Sequence, residues 1–154
     1  MLEGRPEKRP GAFKLLPNRA GATDFVAPNL IEGTLARGLQ QLERLEDPFG
    51  RAVLMMFLVS EVHPFDDGNG RVARIMMNAE LQAAGECRII IPTVYRNEYL
   101  SSLRAMTHNL QPGPIVRVLD FAQRYTAQID FSSVAAATLV LTQTNAFVDP
   151  VEAR

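Results

Sequence analysis

Residues 63–74 read HPFDDGNGRVAR, and the rest of the chain is best interpreted outward from this stretch. Its centre, 66–70, is dense in Gly and Asp and lies between two helical patterns. Glycine lets the backbone adopt positive φ and approach a ligand closely, and successive N–H groups can then converge on an anion. The helix that begins near Gly70 adds the positive end of its dipole. The stretch therefore predicts an anion-binding loop.

The charged side chains of this stretch refine the chemistry. Arg71 and Arg74 are three residues apart, so both project from one face of the new helix, and guanidinium groups offer paired donors that suit phosphate. Cations in a first helical turn oppose the dipole, which indicates that a bound anion compensates. Asp67 supplies a hard oxygen ligand for Mg²⁺, and His63 is a proton acceptor near neutral pH. Together they predict a phosphoryl- or nucleotidyl-transfer site.

Simpler interpretations of the same residues remain open from spacing alone. Asp-Gly and Asn-Gly pairs are common turn formers, and a plain interhelical turn explains 66–70 but leaves His63 and both arginines without a reason. A calcium loop fits worse, because Met77 stands where a bidentate Glu belongs. A zinc site would need more histidines than His63 and the distant His108.

Composition limits the class of protein. The chain has 154 residues, 47% hydrophobic and 21% charged, which predicts one domain with a sizeable core. Sixteen Lys+Arg against seventeen Asp+Glu leave no basic excess for a nucleic-acid partner. Cys87 is the only cysteine, which fits a reducing compartment and predicts a cytoplasmic location, while bacterial export without disulfides stays open as the alternative. The longest uncharged run, 131–148, carries many polar side chains, so we expect no membrane association.

Turn chemistry at 17–21, between the short apolar pieces 13–16 and 23–26, predicts a small hairpin. Hydrophobic periodicity predicts helices in the rest of the chain, and so an all-α protein. Residues 52–59 are apolar all round, so the helix over 48–62, opened by Asp47-Pro48, should be central and buried. A stripe of Ile31, Leu35, Leu39, Leu42 and Leu45 marks the helix before it, over about 29–46. Further helices are predicted at about 70–84, 93–108, 114–129 and 131–145. The domain organisation predicted is an arm over 1–12, a domain over 13–145 and a tail over 146–154.

At this point the chain resembles a known family. Residues 63–74 match every fixed position of the Fic motif HPFx(D/E)GNGRxxR, and the resemblance covers about residues 11–145. It implies the all-helical Fic fold, a bundle around a central buried helix with a β-hairpin called the flap, here within about 13–26. It also implies transfer of AMP from ATP to a Ser, Thr or Tyr hydroxyl of a target protein, with release of pyrophosphate.

The resemblance assigns a role to each charged residue of the motif. His63 would be the general base that takes the proton from the target hydroxyl. Asp67 would hold Mg²⁺ between the α- and β-phosphates, while Arg71 and Arg74 would hold the β- and γ-phosphates. Asp66 fills the variable position, and we expect it to be solvated.

Other assignments come from the same resemblance. Gly68, Asn69 and Gly70 would form the anion hole, and Tyr99 lies where related proteins place an aromatic side chain near the adenine. The flap would pair with an extended segment of the target by strand addition.

The motif also narrows the choice within the family. Doc-type members, which phosphorylate, carry Lys where this chain has Gly70, so AMP transfer is favoured. Two alternatives stay open: transfer of UMP, GMP or phosphocholine by a related enzyme, and a nucleotide-binding interaction module with little turnover. Many members carry an inhibitory pattern, (S/T)xxxE(G/N), whose Glu pairs with the second motif arginine. No Ser or Thr here is followed by Glu four residues on, so we expect an uninhibited domain, or inhibition at Arg74 by a further segment or an antitoxin chain.

Overall fold

The computed structural model describes residues 6–149, and the chain divides into two compact units at Glu86–Cys87. The first unit contains a hairpin and three helices: β1 (Arg19–Ala20), β2 (Thr23–Asp24), α1 (Ile31–Leu42), α2 (Pro48–Val62) and α3 (Asn69–Ala83). The second unit contains α4 (Arg96–Asn109), α5 (Gly113–Ala127) and α6 (Val134–Gln143). The all-α class and the small hairpin are confirmed. The boundaries of arm, domain and tail stay predictions, and 1–5 and 150–154 lie outside the described residues.

Helix α2 is the central buried helix of the first unit, as its all-round apolar sequence predicts. Eight of its residues are buried, and it packs against both α1 and α3. Its start follows the expected chemistry, because the Asp47 carboxylate accepts a hydrogen bond from the Gly50 N–H at 2.6 Å and Pro48 fixes φ at the first helical position. The helix that carries the motif histidine is therefore anchored in the core from Ala52 to Val62.

Helix α1 packs on α2 through a small residue. Gly38 lies against the Leu58 side chain so closely that a Cβ at this position would overlap the Leu58 methyl groups. Ile31, Leu58 and Val62 form a buried cluster, with Val26 packed against it. The close approach therefore joins the end of the hairpin segment to the C-terminal half of α2.

The predicted apolar stripe of α1 is only partly correct. Ile31 and Leu42 are the buried residues of α1, whereas Leu39 is 43% exposed. Leu45 is 38% exposed and lies beyond the end of α1 at Leu42. The end of α1 is held instead by a polar contact, since Arg51 donates from Nη1 to the Leu42 carbonyl at 2.8 Å. The same guanidinium forms an ion pair with Glu80 on α3 at 2.8 Å. One arginine of α2 thus connects the other two helices.

The flap is a short antiparallel hairpin inside the range predicted for it. Arg19 pairs with Asp24 and Ala20 with Thr23, and the turn between them contains Gly21 at φ +58°. Both strands are largely exposed. The hairpin is held in place by the segments on either side of it rather than by its own short ladder.

The second unit is built from α4 and α5, which pack against each other. The extended segment before α4 is bonded to α5 through Thr126. The buried Thr126 hydroxyl accepts from the Ile90 N–H at 2.9 Å and donates to the Ala122 carbonyl at 2.7 Å. Helix α6 has no fully buried residue, and Ala136, Ala137, Val140 and Leu141 are half-buried. Within residues 6–149 no helix is long and apolar enough to cross a membrane, and the cytoplasmic location stays a prediction.

Candidate active site

His63 ends α2 with its backbone in the left-handed conformation, at φ 48° and ψ 57°. Its N–H still donates to the Val59 carbonyl at 3.0 Å, so the helix continues up to this residue and then turns away. The ring nitrogen Nδ1 lies 3.2 Å from the Ser60 carbonyl oxygen. Because a carbonyl only accepts, Nδ1 carries the proton, and in the neutral ring Nε2 is left as the proton acceptor.

The surroundings keep this imidazole neutral. Burial lowers the pKa of His63, and the nearby Lys14 ammonium lowers it further, while the hydrogen bond to Ser60 and the charge of Asp67 act in the opposite direction. Burial is the largest of these causes, so the pKa lies below its usual value of about 6.5. At neutral pH the ring is therefore ready to accept a proton, which is the state a general base requires.

The loop after His63 is closed by the side chain of Asn69. Asn69 is 1% exposed, its Oδ1 accepts from the Phe65 N–H at 2.8 Å, and its Nδ2 donates to the Phe65 carbonyl at 2.8 Å. Gly68 adopts φ +81°, a conformation that glycine reaches without strain, and its N–H donates to Asp67 Oδ1 at 2.6 Å. The Asn69 amide thus fixes the loop, and its backbone N–H is the part that can face a ligand.

The first two turns of α3 carry the two motif arginines. Neither Arg71 nor Arg74 makes an ion pair or hydrogen bond through its guanidinium with any residue that the structure describes. A Cβ built at Gly70 would lie 3.5 Å from Arg74 Nη1, so the Arg74 guanidinium lies beside this glycine. The N–H groups of Asn69 and Gly70 have no acceptor inside their own helix. Two arginines, and two N–H groups without an acceptor inside the helix, therefore lie at the start of α3.

Asp67 is the only motif carboxylate beside this helix end that can serve a metal. It is half-buried, and among residues 6–149 no three His, Cys, Asp or Glu side chains gather into a metal site. One carboxylate fits Mg²⁺, which usually keeps several waters and takes its remaining ligands from substrate phosphates. The donor set does not fit a metal that requires a cage made only of protein ligands.

The expectation that Asp66 is solvated is wrong. Arg9 donates from Nε and Nη2 to Asp66 Oδ2 at 3.2 and 3.1 Å, and its Nη2 also donates to the Phe13 carbonyl at 2.9 Å. The Asp66 side chain is 25% exposed. The variable position of the motif therefore attaches the N-terminal segment to the loop.

Sequence reasoning also missed Lys14, which is 2% exposed beneath the loop. Its Nζ donates to Asn18 Oδ1 at 2.6 Å and to the Val62 carbonyl at 3.3 Å, and its N–H donates to the Pro64 carbonyl at 2.8 Å. Burial lowers the pKa of Lys14, partly offset by Asp66. A donor of positive character at the C-terminal end of α2 is favourable. No spacing in the sequence singles out this lysine.

The structure brings the motif residues together in one continuous loop and helix of the first unit, from His63 through Asp67 to Arg74. Tyr99 belongs to α4 in the second unit and is 4% exposed. Its assignment to the adenine stays a prediction.

Comparisons with known proteins identify the family that the motif of residues 63–74 resembles. The profile of the Fic/DOC family matches residues 1–81. A probable protein adenylyltransferase of Aquifex aeolicus is 35% identical over 112 residues, which are 71% of this chain and 31% of that protein. The chain therefore spans less than a third of that relative.

Two solved structures share the fold. Fic-1 of C. elegans superposes with a TM-score of 0.66 at 22% identity, over 94% of this chain and 40% of that one. BepC of Bartonella tribocorum, with bound AMPPNP, superposes with a TM-score of 0.60 at 17% identity, over 71% of this chain and 56% of that one.

Proposed function

The chain belongs to the Fic/DOC family, and we propose on this basis that it transfers AMP from ATP to a Ser, Thr or Tyr hydroxyl of a target protein. The observation that carries the proposal is the pairing of a neutral His63 with two arginines, Arg71 and Arg74, that have no partner among the residues the structure describes. An anion site without a base would fit a module that only binds the nucleotide equally well, so the base beside it is what favours an enzyme. The relative in Aquifex aeolicus is named a probable protein adenylyltransferase.

The proposed reaction begins at the base. Nε2 of His63 takes the proton of the target hydroxyl, because Nδ1 is already committed as a donor to Ser60. The hydroxyl oxygen then attacks the α-phosphorus of ATP in line, and the bond from that phosphorus to the bridging oxygen of pyrophosphate breaks. General-base catalysis of this kind contributes on the order of 10²- to 10⁴-fold. The products are an AMP ester on the target and pyrophosphate.

The proposed role of the helix end is to bind charge. The N–H groups at the start of α3, with Arg71 and Arg74, would hold the phosphates and stabilise the charge that develops on departing pyrophosphate. Gly70 carries no side chain that would compete with a phosphate beside Arg74, whose Nη1 lies 3.5 Å from the place that a Cβ would occupy. Asp67 would hold Mg²⁺ together with the phosphates, and the ion when bound supplies further neutralisation of phosphate charge.

The proposed partner is a protein with an extended segment next to its hydroxyl side chain. The strands of the flap span only Arg19–Ala20 and Thr23–Asp24 and are largely exposed, so an added strand could pair with their backbone. The same positive helix end offers a place for regulation. A carboxylate on a further segment, or on an antitoxin chain, would compete with the γ-phosphate for Arg74.

The experiment that tests the proposal distinguishes transfer of the α-phosphate of ATP from transfer of its γ-phosphate. The chain is incubated with Mg²⁺ and a cell lysate, in parallel with α-labelled and γ-labelled ATP, beside the His63→Ala variant. We expect the α-label and a mass gain of one adenylyl group on protein, both lost in the variant.

The other outcomes contradict the proposal in distinct ways. Transfer of the γ-label would indicate a kinase. A different added mass with UTP, GTP or CDP-choline would indicate another phosphate-linked group. Binding of ATP with no label on any protein would indicate an interaction module.

A further inference from the structure

Phe25 directly follows the flap, and its ring covers one face of the His63 imidazole. The two ring centroids are 3.7 Å apart and the planes differ by 8°, which is a parallel stack. Phe25 is half-buried, and its N–H donates to the Asn18 carbonyl at 3.2 Å. The aromatic ring is therefore held by the closing end of the hairpin and not by a free side chain of a loop.

The opening end of the flap reaches the same residue from its backbone side. Asn18, just before β1, donates from Nδ2 to the Phe65 carbonyl at 3.1 Å and lies 3.5 Å from the His63 carbonyl. Lys14 fixes the Asn18 amide, since its Nζ donates to Asn18 Oδ1 at 2.6 Å. Both ends of the flap thus touch His63, one at the ring and one at the main chain.

We infer that Phe25 is a positioning residue that holds the imidazole of His63 in the plane where Nε2 is free to accept the proton. The inference rests on the role of His63 proposed above. It makes the flap a part of the base's support as well as the edge on which a target strand would dock.

The geometry explains why a second support is needed. The hydrogen bond from Nδ1 to the Ser60 carbonyl fixes one edge of the ring, but torsions about bonds to planar rings have broad minima. The imidazole can therefore rotate about its bond to Cβ unless a neighbouring surface blocks this rotation. Phe25 supplies this surface at contact distance. Displacements of about 1 Å in a reacting group can cost on the order of 100-fold in rate, so a tilted Nε2 would slow transfer without weakening nucleotide binding.

The test compares Phe25→Leu, which removes the aromatic face, with Phe25→Tyr, which retains it. A matched control is Phe147→Leu, which changes a 64% exposed phenylalanine of the second unit. His63 and His108 are the only histidines, so NMR resolves their ring protons, and His108→Gln assigns them. A proton over an aromatic face is shifted upfield, so the His63 signals report the stack directly and need no activity.

We expect Phe25→Leu to move the His63 ring signals downfield while those of His108 stay in place. We expect its rate of α-label transfer at saturating ATP to fall about 10- to 100-fold, with the half-saturating ATP concentration unchanged. Phe25→Tyr should keep the rate and upfield-shifted His63 signals, and Phe147→Leu should match the native protein in both readouts. Thermal unfolding of each variant confirms that it is folded.

Three results would overturn the inference: unchanged His63 signals in Phe25→Leu, moved signals with an unchanged rate, or an equal loss of rate in Phe25→Tyr. If the native chain transfers no label at all, the proposed function fails separately, and the His63 signals alone decide whether Phe25 holds the ring.

Discussion

Replacing Arg74 with Leu should separate binding from stability. The guanidinium has no partner among the described residues, so its removal breaks no internal ion pair, and we expect the free energy of unfolding to change by less than about 0.5 kcal/mol. Hydrogen bonds to charged groups contribute about 1.5–3 kcal/mol. The Kd for ATP should therefore rise roughly 10- to 150-fold.

Arg51→Leu is the matched control, because it removes an arginine that the fold uses. Arg51 donates from Nε to Glu80 Oε2 at 3.0 Å, and its Nη2 lies 2.8 Å from the same oxygen as an ion pair. Its Nη1 donates to the Leu42 carbonyl at 2.8 Å. The Arg51 and Glu80 side chains are 30% and 18% exposed. Solvent therefore screens part of the ion pair, and we expect a loss of about 1–3 kcal/mol in the free energy of unfolding. The Kd for ATP should stay that of the native chain.

Calorimetric titration with Mg²⁺ and α,β-methylene-ATP, whose α–β bridge the proposed reaction cannot break, measures the affinity, and urea unfolding of each chain without nucleotide measures stability. Arg74→Leu should raise the Kd and leave the free energy of unfolding unchanged, whereas Arg51→Leu should lower the free energy of unfolding and leave the Kd unchanged. If Arg74→Leu destabilises the chain as much as Arg51→Leu, or binds the nucleotide as tightly as the native protein, the assignment of an anion site to the start of α3 is refuted.

Three further predictions concern the His63 imidazole, the packing of α1 on α2, and the loop that Asn69 closes. Because the pKa of His63 is lowered, the folded chain binds fewer protons than the unfolded chain just below about pH 6.5. The free energy of unfolding should therefore fall as the pH drops from about 6.5 through the pKa of His63 in the folded chain. The rate of α-label transfer should stay constant as the pH is lowered to below 6.5. A loss of rate that begins at or above pH 6.5 contradicts this prediction. Gly38→Ala should destabilise by about 1 kcal/mol, since overpacking against Leu58 outweighs the gain in helix propensity, whereas in a Leu58→Ala background it should stabilise; urea unfolding without this change of sign counts against the packing described. Asn69→Ala should cost about 1–3 kcal/mol, because it leaves the N–H of Phe65 without an acceptor and the Phe65 carbonyl with Asn18 as its remaining donor; a smaller loss on urea unfolding would show that the loop closes without the Asn69 amide.

Much of the first unit could be predicted because its signals are local. The Asp47-Pro48 start of α2 depends on residues within one turn, and the capping hydrogen bond to Gly50 is present. The all-round apolar sequence of 52–59 needs no knowledge of its neighbours to indicate burial. The motif is contiguous, so His63 and Arg74 lie at the two ends of one loop and helix start that need no distant part of the chain to be recognised.

The supports of the site could not be predicted, since each joins distant parts of the chain. Arg9 and Asp66 are 57 residues apart, and Lys14 and Val62 are 48 apart. Nothing in the sequence distinguishes Lys14 from an ordinary exposed lysine, and lysine is among the residues least often buried. The stacking of Phe25 on His63 likewise depends on how the hairpin settles on α2, which is a tertiary event.

The left-handed backbone of His63 has a consequence for how sequences at this position evolve. Helices commonly end in this conformation at glycine, and a residue with a Cβ pays about 1 kcal/mol to adopt it. Selection for stability alone would therefore favour glycine at residue 63. A chain that keeps histidine there accepts a less stable helix end in exchange for its chemistry, so drift toward glycine in a relative would mark the loss of catalysis while the fold persists.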